Sequence, residues 1–305
     1  MSNIKNVTVT IIFDGAALNR DEKIGGNILS IKKLNINGEV RSFIGKPAIR
    51  HYLYQTLYRQ DPHTWSPAPV AERGSGDRKT LQFDLTRADI ITCPELDVFG
   101  YMFTIEGERS LTRKAPLGIT KAISLYSYEA DLAFYANHDL VTRRRKEGYI
   151  EIMPGLYNKE EHTSFYKLSF TLDTFIIGQD TWVIEQEPSI EEGRLSIQIS
   201  DSDKKLLDGS QNNGTAWKLP DGAGTLKWGK INAEKFFLTF TVSEDKRKER
   251  IKTLLEAIKN GLYAQSSGEA NTIVPLFLIA GAVKVPSPVF HSYIDVKKED
   301  GQWQV

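Results

Sequence analysis

The sequence predicts an α+β protein on three observations. Short runs in which polar and apolar residues alternate recur along the chain. Only two segments repeat apolar residues at helical spacing, and stretches rich in glycine and proline separate the rest. With 305 residues and 40 % apolar content, the chain can bury a large core.

Asn6 to Phe13 alternates with period two and predicts a half-buried first strand that Asp14-Gly15 ends. Leu34 to Phe43 predicts a strand pair turning at Asn37-Gly38, a dipeptide suited to tight hairpins. Pro47 fits the first turn of a helix over 47–59, with Ile49, Leu53 and Leu57 on one side and Arg50 with Tyr54 on another. Asp61-Pro62 stops it, and the prolines and glycines of 61–80 predict a loop. Leu117 to Tyr128 reads as one long strand and 136–164 as a long polar loop. Phe165 to Ile177 is a strand with Tyr166, Leu168, Phe170 and Leu172 on one face, and 185–230 is a second polar excursion. After a strand at Phe236 to Val242, Ser243 caps a helix with Ile251, Leu254, Leu255, Ile258 and Leu262 in one stripe and Gly261 at its end. Ser266 to Asn271 is a small-residue loop, Ile273 to Val283 a buried strand, and Val289 to Val296 the last strand. There is no internal repeat.

Composition excludes several classes. Lys plus Arg number 39 against 39 Asp plus Glu, a net charge of zero, and 26 % charged residues is ordinary for a globular chain. The longest apolar run is about half of the ~20 residues that cross a bilayer, so no membrane partner is expected. Cys93 is the only cysteine, which excludes an intrachain disulfide and a cysteine-based zinc site. No signal-like layout opens the chain, and a cytoplasmic setting is expected.

Catalytic and cofactor motifs are absent. The five histidines, His51, His63, His138, His162 and His291, form no HxH, HxxxH or HExxH pattern. No GxSxG, Walker or GxGxxG motif occurs, so no enzyme activity, metal or cofactor is expected. His138-Asp139 and Glu161-His162 have the residue types of acid–base pairs, and equally those of surface histidines beside solvating carboxylates.

Charge is uneven: the cationic clusters suit a polyanion partner, and equally they read as solvated faces. Arg41, Lys46 and Arg50 straddle a strand–helix junction, where a helix start receives phosphate. Tyr52 and Tyr54 nearby either stack on bases or pack in the core. Further cations gather at Arg109–Lys121, at Arg143, Arg144, Arg145 and Lys146, and at Lys246–Lys248. The loop holding Ser267, Gly268 and Asn271 allows close approach of backbone N–H groups to phosphate. Acidic residues concentrate at Glu185, Glu187, Glu191 and Glu192, so one surface suits a polyanion and another a basic neighbour.

Several segments, in order, resemble the repeated RNA-backbone subunit of type I CRISPR Cascade complexes, within the repeat-associated (RAMP) superfamily. They are the first strand running into Leu18-Asn19-Arg20-Asp21, then Gly38 to Arg50, Phe99-Gly-Tyr-Met102 and Gly118 to Tyr128. Asp131 to Asp139, Glu161-His162 and the strand from Tyr166 follow. Together they span most of 1–175, with weaker support around 255–285, and look nearest to the I-B or DevR-like branch.

The resemblance implies one RAMP-type domain over 1–305, with an RRM-like (ferredoxin-type) palm and finger, web and thumb insertions. The finger would be 61–95, the thumb 128–164, and 185–230 an insertion of unknown role. It implies a non-catalytic subunit that polymerises along the crRNA spacer and presents the guide to target DNA in antiviral defence. Its partners would be crRNA, further copies of itself and other Cascade subunits. Met102 and Phe134 match family positions that pack against bases beside a kink, and Arg41, Lys46 and Arg50 match the phosphate-binding junction. Relatives carry a small-polar pattern where this chain has Gly45-Lys-Pro-Ala-Ile. The alternative within the superfamily is an endoribonuclease that processes precursor crRNA with a histidine such as His51 or His138 as base.

Overall fold

The computed structural model describes residues 5–17, 28–74, 79–105, 110–129, 131–148, 153, 156–212, 214–266, 269–299 and 302–305. The alternating first segment becomes β1 (Asn6–Ala16), which lies antiparallel between β13 (Thr163–Leu172) and β24 (Phe277–Val283). β13 pairs on its other side with β9 (Leu117–Ile119) and β10 (Ala122–Ser124), and the order continues through β4 (Glu39–Ile44) to β3 (Lys33–Ile36). Asn37 and Gly38 turn that last hairpin at φ of +53° and +89°, the left-handed pair that the Asn-Gly signal foretold.

One face of this seven-stranded sheet carries Val9, Ile11 and Phe13 of β1 with Tyr166, Leu168, Phe170 and Leu172 of β13. Against it pack α1 (Lys46–Gln60), through Ile49, Leu53 and Leu57, and α4 (Glu244–Asn260), through Leu254 and Ile258. The period-two and helical stripes of the sequence thus meet in one core. The other face bears Thr10, Lys167 and Ser169, and the C-terminal segment lies across it. Lys167 Nζ donates to the Ile294 carbonyl at 2.6 Å, Ser169 Oγ meets His291 Nδ1 at 2.8 Å, and Trp303 sets its ring edge-on to Phe165.

A second core is built from short strands. β14 (Gln179–Ile184), β21 (Phe236–Val242), β20 (Gly224–Lys230), β19 (Ala216–Lys218) and β18 (Ser210–Gln211) form one sheet in that order. β15 (Ser189–Glu191), β16 (Arg194–Gln198) and β17 (Lys204–Leu207) form another. Trp182, Leu195, Ile197, Trp217, Leu226, Trp228, Leu238 and Phe240 pack there with Leu85, Leu96 and Phe103.

The two cores are joined by a buried ionic knot on Asp97 of α2 (Pro94–Phe99). Arg113 of β8 (Leu111–Arg113) reaches one Asp97 oxygen at 2.6 Å, and Arg250 of α4 reaches the other at 2.9 Å. Both guanidinium groups spend their remaining donors on carbonyls, Arg113 on Ile176 and Gln179, Arg250 on Ile90 and Ile91. Arg113 also faces Asp180, which accepts from Tyr101 of β7 (Tyr101–Phe103).

Several expectations are corrected. β1 continues through Asp14-Gly15 because these residues still pair with Phe165 and Ser164. Residues 61–80 contain β5 (Val70–Arg73) and the start of β6 (Thr80–Phe83), paired with each other. The run 117–128 breaks at Thr120-Lys121, where the Thr120 amide bonds the Ser169 carbonyl between two short strands. The polar loop 136–164 contains α3 (His138–Lys146) and β12 (Leu156–Glu161), the latter paired with β11 (Asp131–Ala136). β13 stops at Leu172, after which Asp173–Ile177 turns.

Residues 185–230 are strands β15 to β20, not a polar excursion. Ser243 stands at the start of α4 without a side-chain cap bond, and Leu262 opens β22 (Leu262–Ser266) instead of extending the helix stripe. β22 pairs with β23 (Glu269–Ile273), so the described residues of the expected small-residue loop, Ser266 and Glu269 to Asn271, belong to paired strands. The apolar run 273–283 splits at Val274–Leu276, and β24 is a half-exposed edge strand. The expected final strand is a series of turns after Pro286 and Pro288, and the strands that follow are β25 (Lys297–Glu299) and β26 (Gln302–Gln304).

Candidate nucleic-acid interface

Arg41, Lys46 and Arg50 do lie on one strand–helix junction, but they are held differently. Arg41 is half-buried on β4, with Nη1 donating to the Ser124 carbonyl at 3.1 Å and Nη2 to Glu39 Oε2 at 2.7 Å. Gly45 occupies the cap position of α1, and its carbonyl accepts the Ala48 and Ile49 amides. Lys46, the first helical residue, is exposed to solvent. Arg50, one turn on, meets Glu95 Oε1 at 3.3 Å and lays its guanidinium 4.7 Å from the Phe99 ring centre. Tyr52 and Tyr54 belong to the core, and the Tyr54 hydroxyl donates to the Trp65 carbonyl at 3.0 Å. Of the two readings for these tyrosines, core packing holds.

The second group of expected residues stands on the β11/β12 hairpin. Phe134 is 64 % exposed on β11, beside Leu132 on the same face. α3 follows, capped by the Asn137 side chain on the Leu140 amide. Arg143, Arg144, Arg145 and Lys146 form its last turn, where cations favour the negative end of the helix dipole. Arg143 pairs with Asp139 at 2.6 Å and Arg144 with Glu147 at 2.5 Å, both exposed and therefore weak. Met102, 56 % exposed on β7 between buried Tyr101 and Phe103, stands on a different element.

At the hairpin root, Lys33 meets Glu160, Lys159 meets Glu269 of β23, and His162 meets Ser42. Sequence reasoning missed Lys33 and Glu269, because each is brought in from more than a hundred residues away. Glu160 was visible only as the acidic end of a polar stretch.

Ser267 and Gly268 lie outside the described residues. Asn271 is committed within the fold: its Oδ1 accepts the Ala16 amide at 2.9 Å and its Nδ2 donates to the Ala16 carbonyl at 2.6 Å. Gly15 permits this approach, since a Cβ there would sit 2.6 Å from Asn271 Oδ1. We expect Asn271→Ala to cost about 1–3 kcal/mol in urea unfolding, because it strips partners from both Ala16 groups.

The histidines divide by environment. His51 and His138 are exposed on α1 and α3. His162 and His291 sit in polar pockets, and burial holds both imidazoles below their ordinary pKa; beside His291, the Lys167 ammonium adds to the effect. A depressed histidine contributes stability that is complete above the unfolded value near 6.5 and is lost as pH falls through the folded value. The melting midpoint should therefore decline as pH drops below about 6.5, and His162→Gln with His291→Gln should flatten that decline. An equal decline in the double variant would remove the histidines as its cause. Among the described residues no group of three or more His, Cys, Asp or Glu is placed to hold a metal, and no helix is long and apolar enough to cross a membrane.

The family model described as CRISPR-associated negative auto-regulator DevR/Csa2 matches residues 7–302. The chain belongs to the DevR/Csa2 family. No curated protein sequence matches this DevR/Csa2 chain. Among solved structures it is similar to a chain of a "CRISPR RNA-guided surveillance complex, pre-nicking", at 8 % identity and a TM-score of 0.38, over 56 % of this chain and 65 % of that one. A chain of a "CRISPR RNA-guided surveillance complex" matches at 9 % and 0.35, over 56 % and 51 %. The DevR/Csa2 chain thus spans less than two thirds of either. A chain of a "Type IV-B CRISPR Complex" matches at 10 % and 0.38, over 92 % and 90 %.

Proposed function

We propose that this DevR/Csa2 chain is a non-catalytic crRNA-binding backbone subunit of a CRISPR surveillance complex, on the I-B side of the Cascade family. The seven-stranded sheet with α1 and α4 serves as an RRM-like palm within one RAMP-type domain over 1–305. Residues 61–95 would be the finger-like insertion, 128–164 the thumb, and 185–230 an insertion. Copies polymerise along the crRNA in the cytoplasm beside other Cascade subunits and present the guide to target DNA.

One observation carries the reading: Phe134 stands exposed on the same hairpin as the four-cation turn of α3, with a second set of cations at the β4–α1 junction. An apolar ring beside cations suits base faces and phosphates of any sequence, which is what a guide-holding subunit must grip. For the nuclease alternative, the exposed His51 and His138 stand on separate helices, α1 and α3.

The deciding experiment is coexpression with a CRISPR array and its neighbouring genes, followed by the 260/280 nm absorbance ratio and sizing of bound RNA. A large assembly holding RNA of discrete length supports the reading, and a clean monomer overturns it. At residue level Lys46 is a cleaner probe than Arg50, because reversing Arg50 would put a carboxylate against Glu95. Lys46→Glu should weaken binding across all RNA sequences and lower the salt slope by about 0.7 to 1. Equal affinity in mutant and parent at moderate salt would remove Lys46 from the interface.

A further inference from the structure

The β11/β12 hairpin contributes no described residue to either hydrophobic core cluster. Its direction therefore depends on its root. There, β2 (Ile28–Leu29) lies parallel to β12 at Asn158 and Lys159, and the chain then turns through Ser30 and Ile31 toward β3. Four hydrogen bonds, from three donors on that turn and the start of β3, converge on one carboxylate. Lys33 Nζ reaches Glu160 Oε1 at 2.9 Å and Oε2 at 2.8 Å, while Ser30 Oγ and the Ile31 amide reach Oε2 at 2.7 and 2.9 Å. The Lys33 ammonium also sits 4.6 Å from the Tyr128 ring centre, and that ring meets His162 edge-on at 5.3 Å.

We infer that Glu160 is a positioning residue that sets the angle at which the hairpin and α3 stand off the sheet. It thereby fixes the span between Phe134 with the α3 cations and the cations at the β4–α1 junction. Two features separate this from ordinary surface pairing. The Glu160 side chain is only 16 % exposed, and its partners come from a different strand and turn, so the contact resists rotation of one element against the other. Burial pushes the Glu160 carboxyl up, but the hydrogen bonds from Lys33, Ser30 and Ile31 outweigh it and hold the group below its ordinary value, so it stays charged. An amide at this position would turn its NH2 toward the Lys33 ammonium or the Ile31 amide, both of which can only donate. Lys159 with Glu269, and His162 with Ser42, flank the contact and brace the same root.

The use of this angle for gripping RNA rests on the function proposed above; the angle itself does not. The test uses the full-length chain in a Cys93→Ala background, with nitroxide labels at Thr142→Cys on α3 and Lys259→Cys on α4. Spin–spin distances are read for the parent, Glu160→Gln and Lys33→Met, alongside melting midpoints and affinity for an oligoribonucleotide. A single narrow distribution in the parent that broadens or shifts in both variants, with melting midpoints within about 3 °C of the parent, is the expected result. Distributions that superimpose on the parent's would overturn the inference. Loss of folding in both variants would also overturn it, since Glu160 would then hold the fold and not an angle. Should Glu160→Gln alone fail to fold, Lys33→Met reads the same contact. A parent that binds no RNA but shows the expected distance changes would sink the RNA-binding reading and leave this one standing.

Discussion

Asp97→Ala should lose about 3–5 kcal/mol of stability, the range for breaking a buried ion pair by removing one partner. The Asp97 side chain is fully buried, and Arg113 and Arg250 beside it are nearly so. Its removal leaves the buried Arg250 without a carboxylate and Arg113 with only Asp180 at 3.6 Å, and the Gly178 amide loses its acceptor as well. The damage should have a place. Arg250 comes from α4 in the first core, while Arg113 and Asp97 border the second, so urea unfolding should separate into two transitions where the parent shows one. An unchanged midpoint would mean that the backbone carbonyls around both arginines suffice to hold them.

The second large effect concerns assembly. Excising 137–155 and joining Ala136 to Leu156 through Asn-Gly closes the hairpin at its existing register, where those two residues already face each other. Neither hydrophobic core cluster draws a described residue from the excised stretch, so the melting midpoint should move by no more than about 3 °C. The four cations of α3 are gone, however, and with them the copurifying RNA and the large assembly should disappear. Assemblies of the parent's size from the excised variant would detach α3 from the function proposed for it.

What could be read from the sequence were the elements whose signal is local. Asn37-Gly38 names its own turn, and the stripes Ile49-Leu53-Leu57 and Leu254-Ile258 need only the period of a helix. The alternation of Tyr166, Leu168, Phe170 and Leu172 belongs to one long strand and survived intact. The second core was illegible for a physical reason. Its tryptophans and aliphatics arrive one or two at a time on strands of two to seven residues, and glycine-bearing turns separate them. Apart from β21, which the sequence does show as a strand, the windows are too short to display a period, although the residues converge in space. The Asp97 knot is harder still, since its three charges are drawn from α2, β8 and α4.

Of the residues that sequence reasoning offered for RNA contact, Arg41, Lys46, Arg50 and Phe134 stand on exposed or half-exposed positions. That reasoning could not foresee that Glu39 and Glu95 would neutralise two of those cations, or that Asn271 would be spent on Ala16.

The position of β1 in the sheet has a consequence for how the chain comes off the ribosome. Ile11 pairs with Leu168 on one side and Leu278 on the other, and 278 − 11 gives the second pair a separation of 267 positions along the chain. At ~5–20 residues per second, that partner emerges roughly a quarter-minute to a minute after β1 itself. For all that time one edge of β1 is open, and it carries Val9, Ile11, Ile12 and Phe13. The closing strand, Phe-Leu-Ile-Ala-Gly-Ala-Val, has no charge or proline to keep it from pairing with another chain's open edge first. Slow translation or a shortened 3′ end of the message would therefore favour aggregates nucleated at β1, and a holdase chaperone present during synthesis would raise the soluble yield without altering the finished protein.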